Sequence, residues 1–196
     1  MPRKEEVLKG ANIRIRKGEI TGIVGGNGSG KSTLMRILVG DLKKDRGKIE
    51  KKGTIGWCPQ ELRLYPRLTA NETFKLFGKA YEMGSEEIRE AKDELAEELD
   101  FHDYLDTRID RLSGGNKQKV NLSIALMHDP DVLMLDEPYT GFDWKTYQSF
   151  WSMSEKLTEE GTAIAVISHI IEREEKIDTL YELKDGRALE RYSGGG

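Results

Sequence analysis

Gly25-Gly26-Asn27-Gly28-Ser29-Gly30-Lys31-Ser32-Thr33 holds the densest chemistry in the chain. Gly25, Gly30, Lys31 and Ser32 satisfy G-x-x-x-x-G-K-[ST], a pattern whose glycines let the backbone wrap a polyphosphate. Lys31 supplies a cation to β- and γ-phosphates, and the Ser32 hydroxyl suits Mg2+. A second stretch, Asp131-Val132-Leu133-Met134-Leu135-Asp136-Glu137-Pro138, ends an apolar run on two carboxylates. Asp136 is placed to hold hydrated Mg2+, and Glu137 to orient or polarise an attacking water. His169, after a third apolar run, is expected at the same sheet edge as a donor to the γ-phosphate. His102 and His128 read as ordinary packing or surface histidines.

Leu112-Ser113-Gly114-Gly115-Asn116 sets a serine and two glycines before a cationic run. Val120, Ile124 and Met127 then follow at helical spacing. A glycine-bearing helix start leaves backbone N–H groups pointing outward, which suits an anion. One chain thus offers two phosphate cradles.

The elements that must position these residues are legible as three short apolar runs, 20–24, 132–135 and 163–167. They are rich in β-formers and do not alternate, as strands buried on both faces of a parallel sheet do not. Each leads through a turn into helix-like sequence, the rhythm of an α/β domain. Residues 12–16 alternate apolar and charged side chains and read as a strand with one wet face. Residues 179–192 read as a hairpin turning at Asp185-Gly186. Thr69-Ala70-Asn71-Glu72 is a capping box opening a helix to about Tyr81, and Ser85 is expected to cap the next helix. That helix carries Ile88, Ala91, Leu95 and Leu99 on one face. Residues 62–111 therefore read as a helical subdomain inserted in a single domain, 1–196, whose core is 1–61 and 112–190.

With 31 basic and 35 acidic side chains the net charge is −4, so no positive field recruits nucleic acid, and none is expected as a partner. The single cysteine, Cys58, allows no internal disulfide and reads as a small packed side chain in a reducing compartment. No apolar run approaches the ~18 residues of a membrane span, and the first residues lead into no apolar signal core. A cytoplasmic chain is expected, whose membrane role would come through a partner.

Taken in order, the phosphate loop, Gln60 in Cys58-Pro59-Gln60-Glu61, the Leu112–Gly115 stretch, Asp136-Glu137-Pro138, Thr140-Gly141-Phe142-Asp143 and His169 resemble the nucleotide-binding subunit of an ATP-binding cassette (ABC) transporter. The resemblance runs across almost the whole chain. It implies an α/β fold: a P-loop NTPase core of ABC type with a parallel sheet, a small antiparallel β region and the helical insertion. It implies ATP and Mg2+ as ligands, the ATP on Gly25, Asn27, Gly28, Ser29, Gly30, Lys31, Ser32 and Thr33. Glu137, His169 and Gln60 would be catalytic, with Ser32, Gln60 and Asp136 around the metal. It also explains two cradles, because in this family two cassettes pair head to tail around ATP. Ser113, Gly114, Gly115 and Asn116 would then contact the ATP held by a partner's Lys31, with Asp143 at the seam between sites. The partner would be a second copy or a paralogous cassette, and the pair would sit on an integral membrane transporter subunit at the cytoplasmic face of the cell membrane.

Three departures accompany the resemblance. Asn116 stands where the family commonly has glutamine, asparagine there being familiar from sugar importers, whereas Pro59–Phe74 resembles small exporter cassettes and favours export. Residues 47–60 abbreviate the antiparallel β region. The aromatic that stacks on adenine in the family has no counterpart in Met1–Lys4, so poor discrimination between ATP and GTP is expected. Two competing readings are a soluble ABC ATPase of DNA repair, chromosome maintenance or translation, and a P-loop kinase or GTPase. The first would carry long coiled-coil insertions or two cassettes, and the second leaves Ser113–Gly115 unused.

Overall fold

A computed structural model describes residues 6–168 and 173–193. The apolar runs form β1 (Ile20–Val24), β3 (Val132–Asp136) and β4 (Ala163–Ile167). They join β2 (Ile55–Cys58), β5 (Thr179–Lys184) and β6 (Arg187–Ser193) in one sheet ordered β2-β3-β4-β1-β5-β6. The first five strands in that order pair in parallel, and β6 returns antiparallel along β5. The antiparallel pairing between named strands thus falls in this hairpin. Residues 47–60, where an abbreviated antiparallel region was expected, carry only β2, which pairs in parallel with β3. The hairpin turns at Asp185 (φ 50°) and Gly186 (φ 76°), both left-handed, as a two-residue turn matched to strand twist requires.

Helices cover both faces. α1 (Lys31–Val39) packs Leu34 and Met35 against Ile23, Met134, Ala165, Ile167 and Leu183. On the other face lie α2 (Ala70–Ala80), α3 (Ser85–Glu98), α4 (Gly114–Leu126) and α5 (Trp144–Glu159). There Leu133, Leu135, Ile164 and Val166 meet Phe74, Val120, Leu122, Phe150 and Trp151. Adjacent residues of β3 and β4 therefore serve opposite cores, which is why those runs are apolar without alternation. α4 is buried at every residue from Gln118 to Leu126, a helix sunk between the sheet and the inserted helices.

The capping box at α2 forms in full: Glu72 N–H donates to Thr69 Oγ1 (3.1 Å) and Thr69 N–H to the Glu72 carboxylate (2.8 Å). Two local expectations need correction. Gly84, not Ser85, caps α3, because the Glu87 carboxylate accepts the Gly84 N–H at 2.6 Å and starts the helix one residue earlier. Residues 12–16 are not a strand. Ile13 and Ile15 do pack under α1, but Arg14 N–H donates to the Tyr181 hydroxyl (3.3 Å) instead of a ladder carbonyl. Burial alternates there without a neighbouring strand to pair with.

Candidate functional site

Sheet order decides where the chemistry gathers. β3, β4 and β1 are adjacent, so their carboxyl ends lie side by side, about 5 Å per strand apart. Ligands of open parallel sheets bind beyond such ends. Glu137 N–H donates to Ile167 O (3.0 Å) and Ser168 N–H to Ile23 O (3.3 Å), tying the three strand exits together. His169 lies outside the described residues.

The loop 25–30 turns from β1 into α1. A side chain at Gly25 would come within 2.4 Å of Leu183 O, and Gly28 (φ 76°) and Gly30 (φ 101°) hold left-handed backbone. Gly30 caps α1 with no side chain, and no acidic residue stands in the first turn. The amides at the start of α1 thus face outward with the positive end of the helix dipole and no competing carboxylate. Lys31, only 7% exposed, folds across its own loop and donates to Gly25 O (2.7 Å) and Gly26 O (3.2 Å). Buried Ser29 Oγ has no partner in the loop. Asn27 and Gly28 are exposed at the crest, and Ser32 and Thr33 are half-buried on the first turn of α1. Lys31 thus lies across the loop it is expected to share with phosphate.

Asp136 is buried (3% exposed) at the last residue of β3, and half-buried Glu137 follows in left-handed backbone, φ 52°. A non-glycine residue there is strained and persists only where its surroundings hold it. Among the described residues no group of three or more His, Cys, Asp and Glu side chains could form a metal cage. Ser32 and Asp136 instead fit Mg2+, which is ordinarily held by one or two protein oxygens together with substrate phosphates. Gln60 is exposed on the bend after β2 and Pro59.

Ser113 caps α4, its hydroxyl accepting from Asn116 N–H at 3.1 Å, and Ser113 and Gly114 are exposed. Gly115 is wedged: a side chain there would come 2.5 Å from Gly141 O. Asp143 caps α5, accepting from Thr146 N–H (2.9 Å) and Thr146 Oγ1 (3.1 Å). The Thr146 amide holds its carboxyl below the usual aspartate range, with Lys119 at 3.9 Å adding to the effect. Among the described residues no hydrogen bond or ion pair joins Ser113–Asn116 to Gly25–Thr33. Among these residues the two helix starts make no direct polar contact with each other.

Two site residues escape a reading by motif. Gln118 Nε2 donates to Pro138 O (3.1 Å) and, more loosely, to Glu137 O (3.4 Å). Asn121 Nδ2 donates to Pro59 O (3.0 Å) and to Cys58 Sγ (3.2 Å). Their signal is two amides in a helix that is otherwise a core element. Cys58 is fully buried, and burial beside the negative Asp136 pushes its thiol well up, so it is an inert packing group.

The ABC transporter family profile matches residues 8–140. An uncharacterized ABC transporter ATP-binding protein of Methanocaldococcus jannaschii is 35% identical over 94% of this chain and 71% of its own length. ABC transporter G family member 20 of Dictyostelium discoideum is 32% identical over 94% of this chain, which spans only 27% of that protein. The dimeric structure of a bacterial ABC transporter cassette is 28% identical, covers all of this chain and 94% of its own, and superposes with a TM-score of 0.89. The same cassette in a post-hydrolysis state bound to ADP and Pi superposes with a TM-score of 0.88 over all of this chain and 95% of its own, at 28% identity.

Proposed function

The chain belongs to the ABC transporter family as one of its ATP-hydrolysing cassettes, and we propose that it powers transport through a separate integral membrane subunit by closing as a dimer on ATP. The observation that carries this reading is the pair of helix starts. α1 opens behind its own phosphate loop, while exposed Ser113 and Gly114 open α4 with no hydrogen bond to that loop among the described residues. A helix N-terminus facing outward is satisfied when a second copy presents its bound nucleotide.

In the closed pair, Lys31 would leave the Gly25 and Gly26 carbonyls for the β- and γ-phosphates. Asp136, Ser32 and Gln60 would hold Mg2+, which supplies charge neutralisation at the β- and γ-oxygens. Glu137, on its constrained backbone, accepts a hydrogen bond from water and aims it at the γ-phosphorus. Ser113, Gly114, Gly115 and Asn116 of the other copy complete the γ-phosphate site, and Asp143 stands at the seam. His169 is assigned as a further γ-phosphate donor. Closure thus depends on ATP, and hydrolysis removes the group that both copies hold. The second cassette is a copy of this chain or a paralogue.

The membrane subunit is proposed as a separate partner, with this chain at its cytoplasmic face; among the described residues no helix is long and apolar enough to cross a membrane. Tyr65 (56% exposed) and Leu76 (43% exposed), in and just after the loop beyond Gln60, are apolar groups available to it. The family relatives are transporter ATP-binding proteins, which does not favour a role in DNA repair or translation.

Glu137→Gln tests the reading. It should retain Mg-ATP and slow hydrolysis ~100-fold or more, the scale of a lost general base. On size exclusion it should run as a monomer alone and a dimer with Mg-ATP, and adding Ser113→Arg should return it to monomer. A double variant that still dimerises defeats the proposed role of the α4 start.

A further inference from the structure

α4 joins places that the chemistry keeps apart. Its first turn carries Ser113–Gly115, while Gln118 and Asn121, at i and i+3, lie on one side of the same buried helix. Each amide holds the carbonyl of a proline: Gln118 that of Pro138 at 3.1 Å, Asn121 that of Pro59 at 3.0 Å. Pro138 directly follows Glu137, and Pro59 directly precedes Gln60. Proline has no N–H, so the carbonyl is its only main-chain hydrogen-bonding group, and both prolines are buried. Gln118 also reaches Glu137 O (3.4 Å), while Glu137 N–H is held by Ile167 O (3.0 Å). The strained backbone of Glu137 is thereby gripped from both sides.

We infer that Gln118 and Asn121 are positioning residues that couple the two ATP sites: they tie the helix start presented to the partner's nucleotide to the loops bearing Glu137 and Gln60 on the same chain. The inference rests on the head-to-tail dimer proposed above. A helix is stiff over the ~8 Å between Ser113 and Gln118, so a displacement of its first turn arrives at the Pro138 carbonyl little diminished. Docking of α4 on one ATP then adjusts the water-orienting carboxylate beside the other. The amides act through the backbone they hold.

The test compares wild type with Gln118→Met and Asn121→Leu, near-isosteric changes that remove the amides, reading ATP affinity, kcat and the Hill coefficient of hydrolysis. Expected are ATP affinity unchanged within about twofold and kcat lowered about tenfold or more, the scale of a small misplacement of a catalytic group. The Hill coefficient should fall from near 2 toward 1, two sites setting its ceiling. Gln118→Glu guards against misfolding: a neutral carboxyl donates to Pro138 O as the amide does, an ionised one cannot, so its kcat relative to wild type should rise as pH falls. Cooperativity retained by Gln118→Met and Asn121→Leu, or kcat falling only with the folded fraction, overturns the inference. A wild-type coefficient of 1 with normal hydrolysis overturns the dimer reading and the coupling with it.

Discussion

Lys31 shows what a single side chain contributes before any ligand arrives. Its ammonium is buried and satisfied by two carbonyls of its own loop, and in the proposed function the same group exchanges them for phosphate oxygens. Lys31→Ala removes the one cation in the loop. Affinity for Mg-ATP should fall by ~2–3 kcal/mol, roughly a hundredfold, the worth of hydrogen bonds to a charged group. Titration calorimetry reads this directly, and near-normal affinity would mean the loop does not cradle phosphate through Lys31. At this scale residue type and spacing carried the reading of Lys31, Asp136 and Glu137, because phosphate and metal chemistry admit few alternatives. The positive φ of Glu137 and the amides of Gln118 and Asn121 stayed hidden, since each depends on which backbone lies opposite.

Between α4 and the loop that leads into α5 the clearance is that of a hydrogen atom. Gly115 faces Gly141 O so closely that a methyl group would come to 2.5 Å of it, and the atom opposite is main chain. Gly115→Ala should therefore cost about 1–3 kcal/mol, as overpacking does, lowering the denaturant midpoint without altering the slope. Gly114→Ala, which meets nothing within 4 Å, should cost much less beyond helix-start effects and serves as the matched control. The strands β1, β3 and β4 were readable because burial on both faces leaves an unbroken apolar run. Residues 12–16 misled because alternation reports a half-buried extended segment, while a strand also needs a partner for its amides. The start of α3 was misplaced by one residue, since Gly84 O already accepts the Ile88 N–H and the Glu87 carboxylate holds the Gly84 N–H, so Ser85 lies inside the helix.

Across the whole molecule, the proposed function makes nucleotide a structural component of a larger assembly. Ligand that binds only the folded state stabilises it by about 2.7 kcal/mol at a hundredfold excess over Kd. If closure takes two chains, the melting temperature of Glu137→Gln should depend on protein concentration with Mg-ATP and be independent of it without. Differential scanning calorimetry over a range of concentrations checks both halves. Two candidate cradles were readable from glycine placement. The setting of the second was not, because Gly115 lies against Gly141 O, a contact that only the fold brings about.

The two edges of that sheet bear on how the chain behaves in a crowded, newly made state. β2 is only four residues long, and β6 lines the opposite edge with Arg187, Glu190 and Arg191, the last paired to Glu182 across the hairpin. Short edges and edges studded with charge are poor templates for a stray strand from another molecule. Unwanted cross-β recruitment is therefore suppressed at both ends of the sheet, so that chains meeting by chance during synthesis part again instead of aggregating.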